Sequence, residues 1–375
     1  MKRIRVTSFG PLTEADVELG DLTVFVGPQA TGKSVLLQLI KLFADAGSIK
    51  GEMEKFGLQW KGRSDAFLEL FFGEGMAAMA TPATQVAAGT VTLDKVLKSR
   101  KSSAEESVFY IPAQRVIALR DGLTHPFSDF RAGDPFVVRW FSDQIHQLVQ
   151  TELANEPSLF PVKQRLPKEY RDLLAQDVFG NLELRLDSAS FQKRLVLQMN
   201  GTSLPHLVWS AGQREFVPLL LGLYWLRPSS RVSRRAKLGT VIIEEPEMGL
   251  HPAAINTTML LVLDLMKRGY RVCISTHSPH VLDVVWGLQV MQKHQASDKD
   301  VLTMFGAPAT VAPVAADALN RKIRVYAFRR GLPVVDISGL DPSSANEDEA
   351  GWGGLTEFTG RVGDAIARVV SRAIP

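Results

Sequence analysis

The stretch Gly27-Pro28-Gln29-Ala30-Thr31-Gly32-Lys33-Ser34 decides how the rest of this chain is interpreted. It has the spacing G-x-x-x-x-G-K-S of a P-loop, which binds the phosphates of a nucleoside triphosphate. Glycine lets such a loop turn tightly, so that its backbone N–H groups face phosphate oxygens. We therefore expect Lys33 to reach the β- and γ-phosphates of ATP and Ser34 to place its hydroxyl on Mg²⁺.

The segments on either side of the loop fit this interpretation. Leu22–Val26 is apolar and rich in β-branched residues, which predicts a buried strand. Val35–Phe43 predicts a helix whose positive N-terminal end faces the phosphates. The predicted ATP-binding residues are Gly27, Pro28, Gln29, Ala30, Thr31, Gly32, Lys33, Ser34 and Val35.

The composition is that of a globular protein without a disulfide framework. The 375 residues suffice for one large domain with an insertion or for two domains. Cys273 is the single cysteine, which fits a reducing cytoplasm, the expected location. The N-terminus shows no signal peptide and no run of 18 apolar residues occurs, so neither secretion nor a membrane partner is expected. A net charge of +3 is too small to indicate nucleic acid.

The N-terminal part alternates like strands. Lys2–Phe9 and Ala15–Leu19 predict two strands, and Gly20-Asp21 predicts a tight hairpin turn into the strand before the P-loop. Val108–Pro112 predicts a buried strand that runs into Gln114. From 116 to about 179, prolines recur between helix-like pieces, which indicates a helical insertion.

The second half contains further buried strands with polar ends. Thr240–Glu247 predicts a strand that ends in carboxylates, and Arg271–Pro279 predicts one with a polar tip. Other predicted elements are strands at Leu182–Leu186, Leu195–Met199, Lys322–Phe328 and Pro333–Ile337, and helices at Phe216–Leu226, His251–Arg268, His280–Leu288 and Thr359–Arg372. Parallel strands bind ligands at their carboxyl ends, and four such ends here carry the P-loop, Gln114, Glu244-Glu245 and His277.

The order of these motifs resembles the head of an ABC-type ATPase. The segments Glu-Glu-Pro-Glu-Met-Gly-Leu-His-Pro (244–252) and Ser-Thr-His-Ser-Pro (275–279) look like the RecF/SMC-like ATPases of the OLD (overcoming lysogenization defect) group, which occur in anti-phage and retron-type defence systems. The resemblance implies an α/β fold, with a mixed sheet flanked by helices, N-terminal antiparallel strands and a helical insertion.

The resemblance also implies site roles. Glu244 matches the acid that holds Mg²⁺, a position more often occupied by Asp, and Glu245 matches the base that polarises the attacking water. His277 matches the residue that contacts the γ-phosphate. Gln114 matches the glutamine that ligates Mg²⁺, with a strand cap as the alternative.

A signature motif follows from the same resemblance. Ser210, Gly212 and Gln213 lie in Trp-Ser-Ala-Gly-Gln, where the familiar form is Leu-Ser-Gly-Gly-Gln. In this class the motif contacts ATP bound by the other subunit, so a homodimer or higher oligomer is implied. His251 stands where Asp is common in the loop that crosses the dimer seam, and its alternative role is a surface residue that starts a helix.

The expected domains are an N-terminal ATPase lobe (1–115), the helical insertion (116–180), a C-terminal ATPase lobe (181–290) and C-terminal strands with a tail (291–375). The residues after Ser278 show no spaced acids of the Toprim nuclease that OLD-type nucleases carry. We therefore expect a separate effector, such as a nuclease or a toxin.

Two further functions compete with an ATP-driven switch. Basic runs at Arg227–Lys237 and Arg321–Arg330 favour a RecF-like DNA-binding repair ATPase, with nucleic acid as a partner. Solvated charged surfaces explain the same runs. The ATPase subunit of a transporter is a third possibility, but the 244–252 segment does not look like that branch.

Overall fold

The computed structural model describes residues 1–99, 105–156, 158–187, 193–228, 234–235 and 237–373. The strands of this part of the chain are β1 (Arg3–Phe9), β2 (Leu12–Glu18), β3 (Leu22–Val26), β4 (Ala80–Ala88), β5 (Val91–Thr92), β6 (Val108–Ile111), β7 (Leu119–Arg120), β8 (Leu123–Thr124), β9 (Glu183–Asp187), β10 (Arg194–Met199), β11 (Thr202–Leu204), β12 (Thr240–Glu244), β13 (Arg271–Thr276), β14 (Ile323–Ala327) and β15 (Val335–Asp336). The α-helices are α1 (Lys33–Lys55), α2 (Ser64–Phe72), α3 (Leu93–Lys98), α4 (Phe136–Gln147), α5 (Lys168–Leu174), α6 (Ala211–Leu226), α7 (Pro252–Lys267), α8 (Pro279–Lys293), α9 (Asp298–Phe305), α10 (Ala312–Ala318), α11 (Glu347–Ala350) and α12 (Glu357–Ala373).

A mixed six-stranded sheet forms the centre of the molecule. Its strand order is β15-β14-β3-β13-β12-β6, and all pairs are parallel except β14 with β15. Because parallel strands share one direction, the carboxyl ends of β3, β13, β12 and β6 lie at the same edge. The sheet therefore brings the four predicted strand ends together.

Both faces of this sheet are buried, as the nearly continuous apolar runs of its strands require. Side chains alternate between two cores: Val24 and Val26 pack on the side of α6, α7 and α8, whereas Phe25 packs on the side of α1 and α2. The second core also takes the inner face of an antiparallel sheet with the order β2-β1-β4-β5. The predicted N-terminal antiparallel strands are confirmed, and β1 pairs with β2.

The predicted hairpin turn at Gly20-Asp21 is wrong. β2 belongs to the antiparallel sheet and β3 to the central sheet, so the two residues link different sheets. Gly20 is needed for a close approach, because a Cβ atom there would lie 2.5 Å from the carbonyl oxygen of Lys322. The Asp21 N–H donates to that carbonyl oxygen at 2.8 Å.

One strand boundary and two groups of short elements also differ from the predictions. The strand predicted to run to Glu247 ends at Glu244, because Glu245 adopts a φ of 44° and Pro246 has no N–H to donate. The 116–180 segment carries the short β7–β8 hairpin as well as α4 and α5. The sequence also gave no indication of α9 and α10, which are only 8 and 7 residues long.

Among the described helices, none has the length and apolar composition needed to cross a bilayer.

Candidate active site

The P-loop has the backbone geometry that phosphate binding needs. Gly27, Ala30 and Gly32 have φ angles of 138°, 61° and 98°. A Cβ atom at Gly27 would lie 2.1 Å from the carbonyl oxygen of Phe328, and one at Gly32 would lie 2.6 Å from Leu12 Cδ2. Both glycines are therefore required by space as well as by conformation.

Lys33 is buried within its own loop. The residue is 6% exposed, and its ammonium donates to the carbonyl oxygens of Gly27 and Pro28, each at 2.7 Å. Burial lowers the pKa of Lys33 to about 8, against the opposing field of Glu245 and nearby carboxylates. A phosphate oxygen is a stronger hydrogen-bond acceptor than either carbonyl, so the ammonium can leave the two carbonyls and donate to a nucleotide phosphate instead. Val35 is buried in the same first turn of α1.

Glu244 is a nearly fully buried carboxylate at the end of β12, only 2% exposed. Its Oε2 accepts the Ala113 N–H at 2.9 Å, while its Oε1 has no hydrogen-bond partner within the described residues. Burial raises the pKa of Glu244, and the neighbouring Ser34 hydroxyl partly offsets this.

These groups fit a Mg²⁺ ion. A cation would give the unpaired carboxylate oxygen of Glu244 a positively charged partner, and the Ser34 hydroxyl would provide a second oxygen ligand. The described residues hold no cluster of three or more His, Cys, Asp and Glu side chains suited to a metal. Mg²⁺ commonly takes one or two protein oxygens and fills the other positions with phosphate and water, so this sparse set suits it.

Glu245 and His277 face each other beside Lys33. The Glu245 Oε1 lies 3.3 Å from His277 Nε2, and this contact lowers the pKa of Glu245. The carboxylate is therefore ionised at neutral pH and able to accept a proton from water. Its backbone N–H donates to the Ser275 carbonyl at 2.9 Å, which fixes Glu245 to the end of β13.

Glu247 positions His277, a role that the sequence did not reveal. Its Oε1 accepts the Thr276 hydroxyl at 2.7 Å and the His277 N–H at 2.9 Å. Burial raises the pKa of Glu247, and these two donors counteract it. Glu247 is the third acid of the Glu-Glu-Pro-Glu motif, and this position in the motif was the signal in the sequence that could have indicated its role.

Gln114 and Arg115 have different environments, although they are adjacent. Gln114 is exposed on a 3₁₀ helix that follows β6, one residue beyond the Ala113 N–H that binds Glu244. Arg115 is 1% exposed, and its guanidinium donates to three backbone carbonyls, those of Glu215, Glu244 and Glu245. Sequence reasoning assigned a role to Gln114 and none to Arg115.

The signature motif lies at an exposed helix end. Ser210 is the N-cap of α6, its hydroxyl accepting the Gln213 N–H at 3.2 Å while Gln213 Oε1 accepts the Ser210 N–H at 3.0 Å. Gly212 lies against the next loop, where a Cβ atom would be 2.9 Å from the Gly249 carbonyl oxygen. His251 caps α7 by accepting the Ala253 N–H at 3.3 Å.

Comparison with known proteins gives one family and several relatives. The family model described as "AAA domain, putative AbiEii toxin, Type IV TA system" matches residues 22–283. The OLD nuclease of Thermus scotoductus is 24% identical over 76% of this chain and 60% of its own length. The Old nuclease of Escherichia phage P2 is 34% identical over 22% of this chain and 14% of its own length. The chain thus spans less than two thirds of the curated relatives that it matches.

Among solved structures, the SMC head domain of Thermotoga maritima covers 89% of this chain and 98% of that one, at 16% identity and a TM-score of 0.32. The family match includes the P-loop, both adjacent glutamates and His277. It extends over more than half of the chain, and the central sheet brings the four predicted strand ends to one edge. The chain therefore belongs to this AAA-domain family of P-loop ATPases.

Proposed function

We propose that the protein is an ATP-driven switch, in which two copies assemble around ATP and Mg²⁺ and separate after hydrolysis. The observation that carries this proposal is that, within one copy, the signature helix end is separate from the residues at the sheet edge. The P-loop, Glu244, Glu245 and His277 meet at one sheet edge, whereas Ser210 lies on an exposed helix end and hydrogen-bonds within its own cap.

In each copy, the residues at the sheet edge do the chemistry. Ser34 and Glu244 would hold Mg²⁺, and Gln114, at the end of the neighbouring strand, would add an oxygen ligand. Glu245 orients and deprotonates the attacking water, and its contact with His277 keeps it ionised. His277 adds a donor to the γ-phosphate, and Lys33 supplies the charge at the β- and γ-phosphates.

The partner's signature helix completes the site. Its Ser210 hydroxyl, its Gly212 and Gln213 N–H groups and the positive helix end are free to meet a phosphate when the cap opens. Directly before this helix, Leu207 and Val208 are 73% and 62% exposed. Large apolar side chains so exposed beside a predicted seam favour a contact with another protein surface.

The assembled state controls an effector on a separate chain in the cytoplasm, and we place this activity in anti-phage defence. The matched family description names a toxin, and the two curated relatives are named as nucleases. Capture of the chain from cells with and without ATP, followed by mass spectrometry, tests the effector. An unrelated set of proteins in both conditions would refute this part of the proposal.

The contacts of the basic runs disfavour the DNA-repair alternative. Most of the basic side chains described in these runs are paired with acids of the same chain, whereas residues 229–233 and 236 lie outside the described part. The pairs are Arg227 with Asp264, Arg235 with Glu152, Lys237 with Glu105, Arg321 with Asp317, Lys322 and Arg324 with Glu18, and Arg329 with Asp348.

The test of the switch uses two substitutions with opposite expected results. Glu245→Gln keeps the side-chain size and the P-loop, so ATP binds, the assembly accumulates and hydrolysis falls by about 10² to 10⁴. Ser210→Arg places bulk and charge at the seam, so each copy binds ATP and stays single. Native mass spectrometry with ATP and Mg²⁺ measures the assembly of both variants and shows whether the bound nucleotide is ATP or ADP. Normal hydrolysis in Glu245→Gln, or normal assembly in Ser210→Arg, contradicts the proposal.

A further inference from the structure

The backbone of Glu245 is strained where the proposed chemistry takes place. Its φ of 44° lies in the left-handed region, which a residue with a side chain rarely adopts. Such a conformation is unfavourable for a residue with a side chain and persists only where neighbouring groups fix it. The carboxylate reaches His277 from this backbone, so whatever holds the backbone also sets the direction of the carboxylate.

Three hydrogen bonds hold the peptide groups of Glu245. Its N–H donates to the Ser275 carbonyl at 2.9 Å, and its carbonyl accepts both Nη2 of Arg115 at 3.0 Å and the nearby Met248 N–H at 3.1 Å. Arg115 also donates through Nη1 to the Glu244 carbonyl at 2.9 Å. One planar guanidinium therefore bridges the last residue of β12 and the strained residue after it.

The same guanidinium reaches the signature helix. Nε of Arg115 donates to the Glu215 carbonyl at 3.1 Å, in the second turn of α6. Gly212 and the Gly249 carbonyl make a second contact between this helix and the loop that follows Glu245. The guanidinium is rigid and nearly fully buried, so it is placed to transmit a shift of α6 to Glu245.

We propose that Arg115 is a positioning residue that couples the signature helix to Glu245, so that contact between two copies aligns the carboxylate for hydrolysis. This inference rests on the proposed function. Ser210 begins α6, so a phosphate of the partner's nucleotide bound there pulls on the helix that Arg115 holds. Because Arg115 is nearly fully buried and donates to backbone carbonyls, it acts through Glu245 and not on the reacting atoms.

Arg115→Lys tests the coupling. Lysine keeps the positive charge, but one ammonium cannot reproduce the planar fork that serves three carbonyls. We expect the affinity for ATP to stay within about threefold and kcat to fall by about 10²-fold, the usual effect of misplacing a reacting group by an ångström. Lys168→Arg, on the exposed surface of α5, is the matched control and leaves both quantities unchanged.

A double-mutant cycle separates coupling from a general structural role. If Arg115 transmits the signature contact, Ser210→Arg already removes what Arg115→Lys would remove, so the double variant hydrolyses ATP no more slowly than Ser210→Arg alone. Two independent losses would multiply, and that result would overturn the inference. If Ser210→Arg alone leaves hydrolysis unchanged, the proposed function fails instead.

A measurement without an Arg115 variant covers the case in which Arg115→Lys does not fold. Amide hydrogen exchange is compared between Glu245→Gln and the Ser210→Arg/Glu245→Gln double variant, both saturated with ATP. We expect residues 113–118 and 244–249 to exchange at least tenfold more slowly in the assembling protein. Equal exchange rates in these two segments, with assembly confirmed by mass, would contradict the coupling.

Discussion

Lys33 carries a buried charge before any nucleotide arrives. The residue is 6% exposed, and the pKa of its amine, about 8, lies below the ordinary value of 10.5 because burial disfavours the ammonium form. Between these two pH values the unfolded chain binds a proton that the folded chain lacks. The destabilising effect of the ammonium is therefore complete below pH 8 and disappears as the pH rises towards 10.5.

Lys33→Met makes this effect measurable in the nucleotide-free protein. Relative to wild type, the variant has its largest stability advantage at pH 7, and we expect this difference to shrink by about 1–2 kcal/mol by pH 10, after allowance for partial solvent access. Denaturant unfolding of both proteins at each pH provides the free energies of unfolding. A difference that stays constant or grows with pH would show that the amine is not destabilised by burial. The same variant loses ATP binding.

Single residues divide into those that a motif predicts and those that packing alone reveals. Lys33, Glu244 and His277 follow motifs with fixed spacing, so the sequence was sufficient to place them together. Arg115 contacts carbonyls of residues about a hundred or more positions away, and no local pattern marks such a partner. Glu247 is a similar case, because the donors to its carboxylate, on Thr276 and His277, come within reach only when β12 and β13 pair.

At the scale of elements, α6 combines a structural and a functional role in its first residues. Ser210 and Gln213 form a reciprocal cap, which accounts for two N–H groups at the helix start. The sequence predicted this helix only from Phe216 onwards, since the motif residues look polar and loop-like. The cap explains why the helix begins at Ala211, and the helix also continues through Pro218.

Substitutions at Ser210 separate the two roles. Ser210→Ala removes the cap and should lower the free energy of unfolding by about 1 kcal/mol. Ser210→Asp restores the cap, because Asp is an equally good N-cap residue, but its negative charge opposes a phosphate at the seam. We expect normal thermal stability and no ATP-dependent assembly in Ser210→Asp. If it assembles as well as wild type, the helix end does not meet a phosphate.

At the scale of the whole molecule, the sequence predicted four strand ends with phosphate or metal chemistry, and the central sheet brings them to one edge. The four strand ends with chemistry belong to neighbouring strands, and β14 was predicted as a strand but not as the second neighbour of β3. Its place could not be predicted because edge position and pairing depend on the completed sheet. Hydrophobic periodicity indicates that a strand exists, and it does not indicate its neighbour.

The internal pairing of the basic runs gives a prediction for nucleic acid. Charges that are already matched release few counterions, so any DNA binding should be weak and should fall only gently between 50 and 200 mM salt. Fluorescence anisotropy with a short duplex measures this, with Lys322→Gln/Arg324→Gln compared against Arg185→Gln, a paired arginine outside the runs. Tight, salt-sensitive binding that only the double variant loses would favour the DNA-repair alternative.

The position of β3 between β13 and β14 has a consequence for protein synthesis. Leu22 pairs with Val272 on one side and Ile323 on the other, so both neighbours leave the ribosome long after the P-loop does. Until then β3 offers two open edges, and Gly27 lacks the Phe328 backbone against which it packs. A nascent or prematurely terminated chain that stops before β14 should therefore be unable to bind ATP. Incomplete chains in the cell would then not compete with the finished protein for the nucleotide.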